Sequence, residues 1–247
     1  MKWALKRQVF VIGIVVLIIA VFVGILGFVF VSNPSTCFDG EQNGTETGVD
    51  CGGGCELVCS FEASAPVVLF TQYVDSSERG DVVAHIRNIN KGIDIRSAAY
   101  TIEVFTSQGD LLAIKKGSID IPSQSTQSVF VKNITPSISM GARAFLTITD
   151  QYFYRAKSIP AATIESFSWS NLNTSPTLRA VVKGDLEEDQ RRLPVTATVF
   201  NDTNKVLAVS ETNIPVLEHN SQEEIIFTWQ KSFSENPARV VFTFKAQ

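Results

Sequence analysis

Four cysteines carry the most distinctive chemistry in this 247-residue chain: Cys37, Cys51, Cys55 and Cys59. All fall in one short segment, CFDGEQNGTETGVDCGGGCELVC. Thiols in such a cluster either hold a metal or oxidise in pairs. Zinc favours a Cys-x-x-Cys knuckle, whereas 13, 3 and 3 residues separate these cysteines. An even number of cysteines in a short Gly-rich stretch reads as two disulfides, with three pairings open. A stretch this small cannot bury a core, so cross-links are its main source of order. Closing a loop of about 15 residues contributes roughly 3 kcal/mol in the chain-entropy picture. The same segment holds Asp39, Asn43, Glu46 and Asp50, oxygen donors three or four residues apart. Together with the flanking glycines they could wrap a hard cation such as calcium, although the EF-hand spacing is absent. The alternative is a solvated turn region in which Asp, Asn and Gly supply unusual backbone angles.

Beyond this segment the residue types suited to catalysis are sparse. His85 sits in the strand-like run Val82-Val83-Ala84-His85-Ile86, and His219 sits in a turn. The sequence contains no Gly-x-Ser-x-Gly, no His-Glu-x-x-His and no phosphate-binding Gly-rich loop. Arg191-Arg192 after Glu187-Glu188-Asp189 reads as a solvated loop of mixed charge. The expectation is a protein that is not an enzyme and needs no cofactor, apart from the calcium question. The aromatic residues offer a sharper idea. Phe167 and Trp169 share a strand face, Tyr152-Phe153-Tyr154 forms a cluster, and Trp229 ends an apolar run. Exposed rings would stack on sugars or anchor a protein partner; buried rings would be ordinary core. Tyr152, Tyr154 and Trp169 are the candidate contacts.

The elements that position these residues begin with the N-terminus. Val9 to Val31 is a run of 23 residues drawn only from Val, Ile, Leu, Phe, Ala and Gly. As a helix it spans about 34 Å, against a hydrocarbon core of about 30 Å. It is longer than the apolar region of a signal peptide and is followed by the poor cleavage sequence Val31-Ser32-Asn33-Pro34. An uncleaved single-pass anchor is the reading. Lys2, Lys6 and Arg7 precede it, which orients the N-terminus toward the cytoplasm and the rest outside the cell membrane. Ala20 and Gly24 form a small-xxx-small pair, read here as facing lipid. Residues 1–31 hold three basic side chains and no acid, so the remaining chain carries 18 basic and 25 acidic residues, a net of −7. That balance argues against nucleic acid as a partner.

After about residue 64 the texture changes to short apolar runs separated by turn residues. Twelve candidate strands follow: 66–74, 81–89, 97–106, 111–119, 126–133, 142–149, 163–171, 177–184, 194–201, 205–212, 222–229 and 239–245. The second six repeat the first. Shifting residues 101–131 by 95 positions gives seven identities without a gap: Thr101/Thr196, Val104/Val199, Phe105/Phe200, Leu112/Leu207, Ala113/Ala208, Ile119/Ile214 and Gln127/Gln222. A unit of this size matches an immunoglobulin-type sandwich of about 100 residues. The expected organisation is a cytoplasmic tail (1–8), a transmembrane helix (9–31), a disulfide-rich neck (32–63) and two immunoglobulin-like β-sandwiches (64–160 and 161–247).

Two resemblances bear on context. The neck is similar to a Cys-rich repeat of bacterial surface proteins, through Cys37, Asp39-Gly40, Asn43-Gly44, Glu46-Thr47, Val49-Asp50-Cys51-Gly52-Gly53, Cys55 and Cys59. It implies a secreted or surface setting and no activity. The two halves from about 66 to 247 resemble FxLYD-type immunoglobulin-like domains of bacterial and archaeal surface proteins. The likeness rests on Tyr100–Phe105 with Leu111–Ile114, and on Val195–Phe200 with Val206–Val209. It implies a sandwich fold and carries no catalytic residues. Neither half contains a cysteine, so packing must hold each together. The expected function is a membrane-anchored extracytoplasmic binding or scaffold protein that presents two modules to a protein or glycan. The alternatives are an accessory subunit of a membrane or cell-envelope complex and, third, an enzyme with an unrecognised site. Self-association is left open.

Overall fold

The computed structural model describes residues 2–32, 36–75, 79–136, 141–156, 161–185 and 189–245. They form two compact units, Met1–Cys55 and Glu56–Gln247. In the first, helix α1 spans Lys2–Ser32. Within it, Arg7–Phe28 is long and apolar enough to cross a membrane and buries nothing against the rest of the protein. Apolar side chains ring this helix on every side, unlike the single stripe of a helix that covers a soluble core.

The neck has little regular structure and is held by cross-links and turns. No cysteine is free, and within this unit Cys37 is bridged to Cys55. Gly53 shows why the Gly run is needed: its φ is +53°, and a Cβ there would collide with the Thr45 carbonyl.

The second unit is all β. The strands of its first half are β1 (Leu57–Val58), β2 (Val67–Asp75), β3 (Arg79–Arg87), β4 (Ile93–Phe105), β5 (Leu111–Ile121), β6 (Thr126–Pro136) and β7 (Arg143–Arg155). The second half adds β8 (Ala161–Ser170), β9 (Thr177–Asp185), β10 (Gln190–Phe200), β11 (Val206–Leu217), β12 (Gln222–Thr228) and β13 (Arg239–Phe244). Each of the twelve expected strands is present, and β1, which lies in the stretch read as neck, is an addition. Residues 157–160, at the expected boundary between sandwiches, lie outside the described residues, as do Glu187 and Glu188 of the charged loop.

The repeat is reproduced in topology. One sheet of the first half runs β2-β3-β6, and its counterpart in the second half runs β8-β9-β12. The opposing sheets run β7-β4-β5, with β1 added on the edge of β7, and β13-β10-β11. The turns agree in detail. Phe105 and Phe200 end equivalent strands. The side chain of the next residue then accepts hydrogen bonds from amides two and four residues on: Thr106 Oγ1 from Gln108 and Asp110, Asn201 Oδ1 from Thr203 and Lys205. The left-handed position of that turn is Gly109 in one copy and Asn204 in the other, the two residue types that adopt it most readily.

Each half has its own core, made by alternate residues of facing sheets. Val82, Ala84 and Ile86 of β3 meet Ile102 and Val104 of β4 in the first. Leu178, Ala180 and Val182 of β9 meet Val195 and Ala197 of β10 in the second. A third core lies between the halves: Val74, Val83, Phe200 and Val206, with Phe70, Phe130, Val209 and Val241 against them. It joins the outer face of β2-β3-β6 to the outer face of β11-β10-β13. The two sandwiches therefore stack face to face, four sheets deep. Their central strands β3 and β10 are buried on both faces, as the unbroken buried runs Val82–Ile86 and Val195–Phe200 require.

Candidate functional site

The seam between the sandwiches combines apolar packing with a few satisfied polar groups. Gln72 pairs with the backbone of Val206, donating from Nε2 to its carbonyl (3.1 Å) and accepting its amide at Oε1 (3.1 Å). Thr243 Oγ1 donates to Ser128 Oγ at 2.7 Å. His85 is 3% exposed, with Nε2 at 3.1 Å from Thr198 Oγ1. Its ring packs against Phe70 and Phe200, with centroids at 4.6 and 6.1 Å, and these two also meet each other at 5.6 Å. Burial disfavours the imidazolium, and the nearby Arg239 guanidinium adds to this, so the His85 pKa is pushed down to about 4. At neutral pH it is an uncharged seam residue. The sequence places it on a strand face; its partner, 113 residues away, gives no local signal.

At one end of the seam lies a cleft of about 470 Å³, lined by Val74, Asp75 and Asp81 on one side and by Val209, Trp229 and Phe233 on the other. The Trp229 indole N–H donates to the Val209 carbonyl at 3.3 Å. Trp169, a candidate contact, packs on Trp229 (5.7 Å between centroids) and Phe233 (5.7 Å) and is half-buried. Its strand neighbour Phe167 is 48% exposed and lies against Phe242. Tyr152 and Tyr154 are on β7 of the other sandwich. Tyr152 is 51% exposed, whereas Tyr154 is half-buried beneath the Arg96 guanidinium at 4.5 Å. The three candidate rings thus do not share one sandwich or one surface.

In the neck the three carboxylates among the oxygen donors, Asp39, Glu46 and Asp50, are engaged with the loop itself. Asp39 accepts from the amides of Thr36 and Glu41 and from Asn43 Nδ2, each at 3.0 Å. The Asn43 hydrogen bond is the largest of these influences, and together they hold the Asp39 carboxyl below the usual carboxylate range. Asp50 accepts the amides of Asp39 and Gly40 at 2.9–3.1 Å. Glu46 accepts the Asn43 amide at 3.2 Å. Its other oxygen touches Cys55 Sγ at 3.4 Å, a contact without a proton because that sulfur is oxidised. Asn43 Oδ1 is buried without a hydrogen-bond partner. Among the described residues, the group that draws together as metal ligands do is Cys37, Glu46 and Cys55. Two of its three atoms are disulfide sulfurs rather than thiolates.

No family model matches the chain, and no curated protein matches it. It is similar to several solved structures. Bacteroides uniformis beta-glucuronidase 2, covalently bound to cyclophellitol-6-carboxylate aziridine, is 16% identical over 66% of this chain and 23% of its own length, with a TM-score of 0.25. A putative beta-galactosidase from Bacteroides fragilis is 10% identical over 69% and 33%, with a TM-score of 0.21. Ruminococcus gnavus beta-glucuronidase is 10% identical over 71% and 37%, with a TM-score of 0.17. The chain spans between 23 and 37% of the length of these enzymes. Likeness this slight transfers neither activity nor substrate. The architecture itself defines the class: an all-β protein of two stacked immunoglobulin-like sandwiches behind one N-terminal apolar helix.

Proposed function

We propose that the protein is a membrane-anchored binding or scaffold protein. Its N-terminus faces the cytoplasm, and a rigid double sandwich outside the membrane meets a protein or glycan partner. The observation that carries the reading is the apolar helix Arg7–Phe28, 22 residues long with its most apolar window unburied, a length and surface suited to the hydrocarbon core. Lys2, Lys6 and Arg7 supply the orientation. The disulfides suit an oxidising compartment. The double sandwich supports presentation rather than catalysis, because its most perturbed histidine is locked into the seam.

The test is membrane fractionation with protease accessibility. Full-length protein should stay in the pellet after alkaline carbonate extraction. Protease added from outside should remove residues 56–247 and leave a short membrane-protected fragment. Release into the soluble fraction as a form lacking residues 1–31 would overturn the anchor. Exchanging the helix for an unrelated anchor then tests the accessory-subunit reading, which requires the native helix where a binding module does not.

A further inference from the structure

The face that the second sandwich uses to dock on the first has a counterpart in the first sandwich, and there it is bare. The equivalence follows from sheet register. In the second sandwich Phe200 of β10 lies between Val206 of β11 and Arg239 of β13, and Thr198 lies between Val209 and Val241. In the first, Phe105 of β4 lies between Leu111 of β5 and Arg143 of β7, and Glu103 lies between Ile114 and Phe145. One row further, Thr196 between Glu211 and Thr243 is matched by Thr101 between Lys116 and Thr147. Two positions change their character: Thr198 becomes Glu103, and Glu211 becomes Lys116. Across the seam Thr198 meets His85, and Glu211 meets Lys132 at 3.6 Å.

Burial of the two faces differs sharply. Phe200 and Val206 are 2% and 3% exposed, covered by β2-β3-β6, whereas Leu111, Ile114 and Phe145 are 50%, 51% and 54% exposed. The Phe105 and Phe145 rings meet edge to face at 5.9 Å, so the apolar groups are contiguous, as on a docking surface. Glu103 is set among them, between Ile114 and Phe145. Among the described residues neither Glu103 nor Arg143 forms a salt bridge. What covers this face must bring a cation to Glu103 and an anion to Arg143, because a covered charge without a counter-charge is costly.

The face carries both of these itself, in the arrangement that self-docking needs. Register sets Glu103 opposite Phe145, and Phe105 opposite Arg143. The four residues occupy the corners of a rectangle of about 5 Å by 7 Å, with the two phenylalanines on one diagonal and the two charges on the other. Turning a second molecule by 180° about the phenylalanine diagonal lays its face on this one. Each ring then faces its own equivalent, and Glu103 of each molecule comes within side-chain reach of Arg143 of the other. A two-fold interface requires this reciprocity. We propose that the outer face of β4-β5-β7 docks the same face of a second copy of this chain, with Phe105 and Phe145 along the two-fold axis and two Glu103–Arg143 ion pairs across it. Anchors in one membrane raise the effective concentration of the two copies. The proposal names a partner for the binding-module reading and rests on it.

The test is disulfide trapping of the full-length protein in native membranes. No cysteine of the chain is free, so Phe145→Cys adds one thiol beside the axis. Ile226→Cys, an exposed position on β12, is the control. Mild oxidation should join Phe145→Cys molecules to one another and leave Ile226→Cys monomeric. In the Phe145→Cys background, reversing one charge (Glu103→Arg or Arg143→Glu) should lower the trapped dimer about ten-fold with an unchanged melting curve. Membranes holding both single reversals together should recover the dimer, because each molecule then meets the opposite charge on the other. No dimer from position 145, as much dimer from 226, indifference to charge reversal, or no recovery in the mixed membranes would each overturn the proposal. A disulfide from 145 to a different protein would overturn it while leaving the binding-module reading standing. A charge-dependent dimer trapped from chains released into the soluble fraction would support the interface and overturn the anchor.

Discussion

The seam face of the second sandwich and the bare face of the first are two outcomes of one sheet design. Both present a central phenylalanine, a flanking arginine and a row of threonines, in the same register. One is dry because a sheet lies opposite; the other is wet, with Leu111, Ile114 and Phe145 each about half exposed. The difference teaches that burial is set here by what faces the strand, and that the face itself is specified by two polar positions. In the seam these meet an uncharged imidazole and a lysine. On the bare face they are Glu103 and Lys116.

The comparison breaks most visibly at its shared phenylalanine. Phe200→Ala opens a cavity in the seam and should lower unfolding stability by about 3–5 kcal/mol. Phe105→Ala, at the equivalent half-buried position, should lower it by about 1 kcal/mol. Urea titration of both variants reads the difference, and equal losses would mean the seam is not packed as described.

His85 gives the next largest effect. Its folded pKa, about 4, lies below the ordinary 6.5. Above pH 6.5 the side chain is neutral whether folded or unfolded, and the full stability is present. As pH falls from 6.5 toward 4 the unfolded chain takes up a proton that the folded protein refuses. Stability therefore drops by up to roughly 1.4 kcal/mol per pH unit, about 3 kcal/mol in all, and then levels off. Urea midpoints at pH 7 and pH 5 should separate for the wild type and draw together in His85→Gln.

The smallest expected effect is at the rim of the seam. Lys132 and Glu211 are both substantially exposed, so Lys132→Ala should cost about 0.2–1 kcal/mol, less at high salt. A larger loss would make the rim, rather than Phe200 and His85, the holder of the seam.

The sequence made the fold class legible because its signals are local or periodic. The 23-residue apolar run and the turns at Thr106 and Asn201 need only neighbouring residues to be read, and the 95-residue repeat needs only the chain laid against itself. The seam is different. Gln72 reaches Val206 across 134 positions, and nothing near either residue announces the pairing. One trace of it was available: Val82–Ile86 is apolar apart from His85, the pattern of a strand covered on both faces, whereas Val195–Val199 alternates with threonine and reads as half-exposed. The neck was legible to the level of two disulfides and no further, since spacing alone leaves three pairings. The aromatic candidates divided because ring type does not report burial. Trp169 went into a half-buried cluster, Tyr154 beneath Arg96, and Tyr152 to the surface.

The double burial of β3 also sets a schedule for synthesis. The first sandwich is complete at Arg155, whereas its covering sheet begins at Gln190 and ends only at Phe244, a wait on the order of 5–20 s at ordinary elongation rates. Through that interval Phe70, Val83 and Phe130 form an open sticky surface on an otherwise finished module. Nascent chains are most exposed to aggregation and to chaperone capture during this wait, which ends when β10 and its neighbours arrive as an intramolecular lid.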